Sequence, residues 1–404
     1  MKKSKIIIIL MSLLLVLAGC GKKETQQETE TNTEEYTSQI TTEEIFSDRD
    51  LEQNVTTTDA TVYTVENNKD INITKAGVYV LKGSSKNTTI TVNTDSDSKV
   101  QLILDGLVIT NDSTPCIYVK NADKVFITTK GTNELTVTNE LTADGDTNTD
   151  AVIFAKDDIT INGVGSLTIK SSENGISAKD DLKITGGTIN VTSTLDSIEA
   201  NNSISIADGT ITINSSKDGL HAEYDEDDSV GYIYIAGGKL NITAKDDAIQ
   251  ATTILKIDAG EITTNSGEGL EATVVEINGG TISVKASDDG INASAKSTKY
   301  TPTVTINNGN LTINMGQGDT DAIDSNGNLY INGGTIDITA QSPFDYNGTG
   351  KYNGGKITVN GSEVTELSNQ MMGGKGGGHG EGIRPEDGGV PKDRGEMSNQ
   401  RRTR

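Results

Sequence analysis

A segment of about 22 residues is repeated along the middle of the chain, and this repeat limits the possible folds more than any other feature. Each copy begins with an acidic or polar residue, then a small, an aliphatic, a polar and a second small residue, as in EGLEA and DGINA. The copies begin at Asn174, Asp196, Asp218, Asp247, Glu268, Asp289 and Asp321. Successive starts are 21 or 22 residues apart, except for two spacings of 29 and 32 that mark insertions. This period predicts thin units stacked on one another rather than one globular core.

Within each copy apolar residues alternate with polar ones, as Ile282 and Val284 do, and this is the period of a β-strand. Each copy holds three short strands, with glycine pairs such as Gly279-Gly280 at the tight corners. The sequence therefore predicts an all-β fold, a right-handed parallel β-helix: a single-stranded solenoid with three short strands per coil of about 22 residues. With 33% hydrophobic and 4% aromatic residues, the chain suits such thin layers.

The two ends of the chain differ from the repeats. Residues 1–19 have a basic start, an apolar run and small residues before Cys20, which predicts a bacterial lipoprotein signal peptide with Cys20 as the lipidated residue. The alternative is a signal that is cleaved, or kept as an anchor, without lipid. We predict a disordered Thr/Glu-rich tether over residues 20–58, the β-helix over 59–367 and a disordered Gly-rich tail over 368–404. We therefore expect an extracellular protein, held at the cell membrane by its N-terminal lipid.

The chain is strongly acidic, with a net charge of −24, and no arginine lies between Arg49 and Arg384. This charge argues against nucleic acid and anionic membrane surfaces as partners, because both repel a negative protein. Cys116 has no disulfide partner once Cys20 carries lipid, so we interpret it as a small buried residue. We expect a monomer.

The polar residues at the start of each copy are predicted to form two columns along one edge of the solenoid. In the pattern D-(G/A/S)-(I/L)-x-A, the aliphatic residue and the alanine face inward, so the residue between them faces outward. These outward residues are Ser177, Glu199, His221, Gln250, Glu271, Asn292 and Asp324. A turn at each corner brings them near the first residue of the copy. Carboxylates placed so closely repel one another unless a cation lies among them.

Calcium is the cation that this pattern favours. Ca²⁺ takes about six to eight oxygen ligands in flexible geometry, whereas Mg²⁺ keeps several waters and takes few carboxylates. The predicted ligand groups are Asp196, Glu199 and Asp218; Asp247, Glu268 and Glu271; and Asp289, Asn292, Asp321 and Asp324. The alternative is that Asp and Gly occur here because they favour turns, and that exposed acids keep the solenoid soluble.

The repeats DDGINA, GEGLEA and DGLHA, the intervening NGGTI and the upstream LDGLVITNDSTPCIYVKNADKVFITTKGTNELT resemble a secreted clostridial-type family of carbohydrate-binding β-helix proteins. The resemblance covers about residues 60–367 and implies binding of extracellular polysaccharide, either cellulose or acidic, pectate-like chains. The family is similar to calcium-dependent pectate lyases, in which Asp residues at i, i+3 and one coil away hold Ca²⁺. Two groups match that spacing here: Asp196, Glu199 and Asp218, and Asp247, Glu268 and Glu271.

Cleavage of a polysaccharide by a lyase requires a Lys or Arg base beside the cation, and the body of this chain offers only Lys. Lys217 and Lys245 adjoin the acidic columns, but either serves equally well as a counter-charge. We therefore predict no catalytic residue. His221 is the only histidine in the repeats, and we interpret it as a polar lining residue or a minor ligand.

Aromatic residues are common in ligand pockets, and this chain has no tryptophan. Its two insertions, EYDEDDSVGYIYI and SAKSTKYTP, carry tyrosines, and we predict that Tyr224, Tyr232 and Tyr300 flank a sugar-binding groove with His221. For Tyr232 and Tyr234, the start of a strand is an equally good interpretation. The preferred function is polysaccharide binding through a Ca²⁺-bearing face. A surface adhesin or stalk without sugar specificity and a calcium-dependent polysaccharide lyase are the alternatives.

Overall fold

The computed structural model describes residues 45–317 and 320–369, which form a parallel β-helix. The predicted signal peptide, Cys20, the tether up to residue 44 and the tail from residue 370 lie outside these ranges. Each complete coil contributes one strand to each of three ribbons, which we name the first, second and third ribbon in the order that a coil visits them. Within a ribbon each strand pairs in parallel with the strands of the neighbouring coils. The predicted fold class is confirmed.

The first ribbon contains β1 (Thr61–Thr64), β3 (Gly77–Lys86), β5 (Lys99–Asn111), β7 (Lys124–Lys130), β10 (Asp158–Gly163), β13 (Asp181–Ile184), β16 (Ser203–Ile206), β19 (Tyr232–Ile235), β22 (Ile254–Ile257), β25 (Val274–Ile277), β28 (Thr303–Ile306), β31 (Asn328–Ile331) and β34 (Gly350–Tyr352). The second contains β8 (Thr132–Val137), β11 (Ser166–Lys170), β14 (Thr188–Ser193), β17 (Thr210–Ser215), β20 (Lys239–Thr243), β23 (Glu261–Ser266), β26 (Thr281–Ala286), β29 (Asn310–Met315), β32 (Thr335–Thr339), β35 (Lys356–Val359) and β36 (Ser362–Val364). The third contains β2 (Ile71–Ile73), β4 (Ile90–Asn93), β6 (Ile117–Asn121), β9 (Ala151–Ala155), β12 (Asn174–Ala178), β15 (Ile198–Ala200), β18 (Leu220–Ala222), β21 (Ile249–Ala251), β24 (Leu270–Ala272), β27 (Ile291–Ala293), β30 (Asp321–Ser325) and β33 (Ser342–Tyr346).

The long strand β5 turns from the first ribbon, where it pairs with β7, into the second, where it pairs with β8. The first and second ribbons therefore form one sheet of 24 strands, and the third ribbon forms a separate sheet of 12. At the C-terminal end, β36 folds back antiparallel on β35. In the part of the chain that the structure describes, no helix is long and apolar enough to cross a membrane.

The core lies between the three ribbons and consists of aliphatic residues stacked coil upon coil. Ile204 pairs in register with Leu182 on one side and Ile233 on the other, and all three are fully buried. Parallel register places equivalent residues about 4.8 Å apart, so each layer of the core covers the next. Cys116 is a buried free thiol in this core, as predicted.

The corner between the first and second ribbons requires glycine. Gly238, Gly260 and Gly280 occupy equivalent positions there with φ of 87°, 115° and 91°. A Cβ on Gly280 would lie 2.9 Å from the carbonyl oxygen of Gly260. Both the positive φ and the close approach of the preceding coil therefore exclude a side chain.

Residues 45–53, which we call the strap, lie against the outer face of the first ribbon, so the prediction of a disordered tether through residue 58 is wrong for this segment. Asp50 is 1% exposed and its Oδ1 lies 2.8 Å from Lys124 Nζ. Gln53 Nε2 donates to the carbonyl of Thr185, 132 positions away, at 2.9 Å. A few polar contacts to distant residues hold the strap, and such contacts leave no periodic pattern in the sequence.

Candidate functional site

The outward residues of the third ribbon lie in register and form one continuous row, which we call the polar row. Its members are Tyr118, Phe154, Ser177, Glu199, His221, Gln250, Glu271, Asn292, Asp324 and Asp345. Neighbouring members are about one strand spacing, 4.8 Å, apart. The predicted column is present, but it is not an exposed edge, since Glu271 and Gln250 are only 6% and 8% exposed.

The first residues of the copies form a second row, the acid ladder, and four of these side chains accept a hydrogen bond from the backbone of the next coil. The Oδ1 of Asn174, Asp196, Asp218 and Asp289 accepts the main-chain N–H of Asp196, Asp218, Asp247 and Asp321, respectively, at 2.9, 3.0, 2.9 and 3.1 Å. These bonds satisfy amides at the corner, outside the strand-to-strand pairing of the third ribbon. They give the first residue of these four copies a structural role that requires a carbonyl-type oxygen.

A cleft of about 580 Å³ lies beside both rows, and charged side chains line it. His221 Nδ1 lies 3.1 Å from Asp196 Oδ2, and its Nε2 lies 2.8 Å from Glu223 Oε2. Lys217 Nζ lies 2.8 Å from the same Asp196 oxygen, and Tyr224 forms part of the wall. The cleft thus presents fixed positive and negative groups beside an aromatic ring, an arrangement that orients a polar ligand.

These contacts keep the basic groups of the cleft protonated. Burial lowers the pKa of His221, but the hydrogen bonds to Asp196 and Glu223 outweigh this effect and raise the pKa to about 10. Burial also acts against the charge of Lys217, and the Asp196 hydrogen bond raises the Lys217 pKa above its usual value. Neither group is an effective proton acceptor near neutral pH, so neither is suited to act as a general base.

Further along the rows, Asp247, Glu268 and Glu271 each bring one carboxylate oxygen within 4.8 Å of the others. Lys296 reaches this group, with its Nζ 2.8 Å from Glu271 Oε2. Burial and repulsion from Glu271 raise the pKa of Asp247 to about 9 and that of Glu268 to about 7. With all three acids ionised, one ammonium leaves two negative charges unbalanced. Two charges are what a divalent cation supplies.

Asn292 adds an amide oxygen beside these carboxylates. It is 8% exposed, and its Nδ2 donates to Glu268 Oε2 at 3.0 Å. Its Oδ1 is buried without a hydrogen-bond donor among the described residues. A buried oxygen of this kind is a suitable ligand for a hard cation. Asp247, Glu268, Glu271 and Asn292, which we call the candidate calcium site, therefore fit Ca²⁺ in charge and in ligand type.

The first predicted ligand group is arranged differently. Asp196 and Asp218 cluster with His221, and not with Glu199. Glu199 instead accepts from Asn174 Nδ2 at 2.7 Å and pairs with Lys179 Nζ at 2.9 Å. Because the imidazolium already lies against both carboxylates, this part of the row carries its own counter-charge.

The third predicted group is spread along the two rows. Asp289 and Asp321 are joined through the acid ladder, and Asp324 lies in register with Asp345 of the next coil. Burial and the charge of Asp345 raise the pKa of Asp324 to about 6. Asn292, predicted in this group, contacts the preceding one through Glu268.

The predicted tyrosines do not meet in one groove. Tyr224 lines the cleft beside His221, as expected. Tyr232 begins β19 in the first ribbon, in register with Ser203, so it belongs to another face and the strand interpretation is the correct one. Tyr300 lies in the loop between β27 and β28.

The two insertions that carry these tyrosines lie together, as their positions in the repeat indicate. The main-chain N–H of Thr298 in the second insertion donates to Asp228 Oδ2 in the first, at 2.8 Å. The second insertion also supplies Lys296 to Glu271. One corner of the solenoid therefore carries both insertions and a counter-charge for the acidic cluster.

Two aromatic residues at the start of the polar row were not predicted. Tyr118 and Phe154 pack edge to face with ring centroids 5.6 Å apart, and Lys179 Nζ lies 5.6 Å from the Phe154 ring centre. A signal for them was present in the sequence: Cys116 and Ile117 align with Gly175 and Ile176 of the first copy, which places Tyr118 at the outward position. The Tyr118 hydroxyl donates to Asp144 Oδ2 at 3.1 Å, so a loop covers this end of the row.

A solenoid with a continuous polar row, a charged cleft and a convergent acidic cluster on one ribbon defines a class of extended ligand-binding repeat proteins. A family profile described as "Carbohydrate-binding domain-containing protein" matches residues 67–340 and again 268–376. The first match covers more than half of the chain, and the chain belongs to this carbohydrate-binding family. The carbohydrate-binding part of the resemblance seen in the sequence is thereby confirmed.

A protein of the same description from Acetivibrio thermocellus is 32% identical over 194 residues, which cover 46% of this chain and 65% of the relative. The chain therefore spans about 65% of the length of this curated relative. Among solved structures, the gadolinium derivative of the polysaccharide lyase-like protein from C. thermocellum is 32% identical in sequence. That match covers 55% of this chain and 92% of the solved chain, with a TM-score of 0.46.

Proposed function

We propose that this protein binds an acidic, pectin-like extracellular polysaccharide along its third ribbon, through Ca²⁺ at the candidate calcium site and through the adjoining cleft. The observation that carries the proposal is the convergence of Asp247, Glu268 and Glu271 with only Lys296 as their paired counter-charge among the described residues. A bound Ca²⁺ would supply positive charge to which sugar carboxylates and hydroxyls can bind. Family membership supports a carbohydrate as the ligand.

An acidic sugar fits the proposal better than neutral cellulose, because its carboxylate can bind Ca²⁺ at the candidate calcium site. The adjoining cleft is lined by acids as well as by Lys179 and Lys217, which pair with Glu199 and Asp196 and whose side chains are 30% and 44% exposed. Charged hydrogen bonds from lysine to a carboxylate are stronger than those between neutral groups. Tyr224 adds an aromatic surface in the same cleft.

Binding explains the cleft better than elimination chemistry does. A lyase needs an unprotonated base beside the sugar carbon, whereas the acids around Lys217 and His221 raise the pKa of both groups. Lys245, the other lysine that adjoins the acid ladder in sequence, is exposed. We therefore propose a non-catalytic binding protein, anchored outside the cell through lipid at Cys20 and the tether that follows it.

The test is a titration of the full-length chain with polygalacturonate in CaCl₂ and in EDTA. We expect binding in calcium that is strongly weakened in EDTA and in Glu271→Gln. The matched control is Glu261→Gln, because Glu261 pairs with Lys239 on the second ribbon with its side chain 56% exposed, and this variant should bind as the native chain does. Failure to bind polygalacturonate in calcium would reject the proposal. Calcium stabilisation without binding to any polysaccharide would instead indicate a structural stalk or adhesin.

A further inference from the structure

A second row of outward residues runs along the first ribbon, and its chemistry is basic and aromatic. Its members, in register, are Phe126, Thr160, Lys183, Ser205, Tyr234, Lys256, Glu276, Thr305, Tyr330 and Lys351. We call it the basic–aromatic row. Lys256 Nζ lies 5.8 Å from the Tyr234 ring centre, and Lys351 Nζ lies 5.6 Å from that of Tyr330. These distances are within the range of cation–π contacts.

The strap crosses the N-terminal half of this row and presents a carboxylate to it. Asp50 Oδ1 lies 2.8 Å from Lys124 Nζ and accepts from Thr160 Oγ1 at 2.7 Å, while Oδ2 lies 3.6 Å from Lys183 Nζ. The side chains of Lys124 and Lys183 are only 10% and 14% exposed. Two neighbouring lysines buried to this degree require an anion between them.

The strap also covers two aromatic rings of the row. Phe46 stacks on Tyr234 with ring centroids 6.3 Å apart, and Arg49 Cζ lies 4.2 Å from the centre of the Phe126 ring. A carboxylate held by lysines and flanked by aromatic faces is also what a uronic-acid sugar would require. Its pyranose ring has apolar C–H groups on one face, and its carboxylate projects from the ring edge.

The groove is larger than the part that the strap fills. A cavity of about 390 Å³ remains beside Asp50, lined by the strap and by Lys99, Lys124 and Lys183. Asp123 and Asp158 also line it, and Asp123 pairs with Lys99 at 3.4 Å. The lysines therefore have room for a group larger than an aspartate side chain.

We propose that this groove is a binding site for a carboxylated glycan, in which Asp50 of the strap is a displaceable ligand from the same chain. A tethered ligand competes at an effective concentration on the order of millimolar. An external glycan therefore binds with an apparent affinity reduced by the fraction of molecules whose strap is open. The site lies on a different ribbon from the candidate calcium site, needs no metal and stands independently of the function proposed above.

The experiment measures polygalacturonate binding by the full-length chain in EDTA, where the candidate calcium site is inactive. The strap is weakened by combining Phe46→Ala, Arg49→Ala and Asp50→Asn. We expect this triple variant to bind at least about tenfold more tightly than the native chain, because the internal competitor is removed. The matched control is Asp48→Asn, which changes an exposed acid of the strap and should have no effect. Adding Lys124→Ala to the triple variant should remove the gain.

A folded triple variant that binds polygalacturonate no more tightly than the native chain would overturn the proposal. An equal increase in affinity for polyglutamate would overturn the choice of a glycan as the ligand. The gain should persist when Glu271→Gln is added, and its loss would contradict the independence of the two sites. If the triple variant does not fold, hydrogen exchange of residues 45–53 in the native chain replaces it. Saturating polygalacturonate should accelerate exchange in this segment, and unchanged exchange would contradict displacement of the strap.

Discussion

His221 Nδ1 lies 3.1 Å from Asp196 Oδ2, one coil away. This pair distinguishes two parts of the polar row that differ in their balance of charge. Around His221, the imidazolium and Lys217 together face three carboxylates, those of Asp196, Asp218 and Glu223. Around Glu271, two coils further along the polar row, three carboxylates share Lys296. The same repeated sequence pattern thus produces one cluster with two cations for three carboxylates and another with one cation for three. Of the two, the second has the excess of two negative charges that a divalent cation would balance.

The first prediction concerns His221→Gln and pH. The His221 pKa is raised from 6.5 to about 10, so its stabilising effect is fully present below about pH 6.5 and is lost as the pH rises through 10. We expect the substitution to lower the free energy of unfolding by about 1–3 kcal/mol at pH 6 and by clearly less at pH 10. Denaturant unfolding at both pH values measures this difference.

The control for His221→Gln is Lys239→Gln, which removes a surface pair with Glu261. Exposed pairs of this kind contribute less than about 1 kcal/mol, so a small effect is expected. A loss for His221→Gln that is the same at pH 6 and pH 10 would show that packing, and not the charge, explains it.

The second prediction concerns proton release on calcium binding. Ca²⁺ binds ionised carboxylates, whereas Asp247 and Glu268 have pKa values raised to about 9 and about 7. Calcium binding near pH 7.5 should therefore release protons, and its affinity should increase as the pH rises from 6 toward 9. Titration calorimetry in buffers of different ionisation enthalpy measures the release. Calcium at about 100 times its Kd should also raise the free energy of unfolding by about 2.7 kcal/mol.

Both calcium effects should be lost in Glu271→Gln and retained in Glu261→Gln. Absence of proton release and of any shift in melting temperature would refute the candidate calcium site. It would leave the acid ladder as the explanation for the repeated acids.

The third prediction separates the structural role of the acid ladder from its charge. Asp218 Oδ1 accepts the N–H of Asp247 at 2.9 Å, and burial raises the pKa of Asp218 to about 6. Ionisation of Asp218 therefore opposes folding, and this destabilisation grows as the pH rises above 3.8 and is complete above about pH 6. The substitution Asp218→Asn keeps the acceptor oxygen and removes the charge, and Asn174 natively plays this part for Asp196.

We therefore expect Asp218→Asn to be as stable as the native chain, or more stable, at pH 8 in EDTA. Asp218→Ala should lose about 1–3 kcal/mol, because the amide of Asp247 is left without its acceptor. Thermal and denaturant unfolding of the two variants compare them directly. Equal destabilisation by both substitutions would show that the charge itself stabilises this corner.

The fourth prediction concerns Gly269, the glycine of EGLEA. A Cβ on Gly269 would lie 2.3 Å from the carbonyl oxygen of Gly290 and 2.4 Å from Val284 Cγ1. Gly269→Ala should therefore cost about 1–3 kcal/mol through overpacking. Ala248 occupies the same position one coil earlier, and Ala248→Gly is the control, with an expected loss of about 1 kcal/mol or less. An unchanged melting temperature for Gly269→Ala would show that the coils can separate to accept a methyl group.

The fold and the rows could be predicted because their signals recur. Each coil presents the same alternation, so Leu182, Ile204 and Ile233 each identify an inward position, and their agreement sets the register. The same register places Glu199, His221 and Gln250 in one row. If one copy were assigned the wrong register, comparison with the other copies would reveal it.

The partners of individual side chains could not be predicted in this way. The sequence does not indicate that Lys296, in an insertion, reaches Glu271, or that Glu199 pairs with Lys179 instead of joining Asp196. Tyr232 lies at the end of an insertion that interrupts the regular spacing of the repeat, so the start of the following strand could not be located from the sequence. These arrangements depend on the conformations of individual side chains. The repeated pattern contains no information about them, because each occurs in one copy only.

The sequence by itself determined the coil, the inward and outward positions and the corner at which acids gather, because these depend on local alternation and on glycine geometry repeated many times. Only the tertiary structure decided which acids are neutralised, which retain unbalanced charge and where the strap lies. Asp50 meets Thr160 across 110 positions of sequence. Contacts at that separation depend on the stacking of whole coils, which brings charged groups close enough, and buries them deeply enough, for their pairing to affect stability.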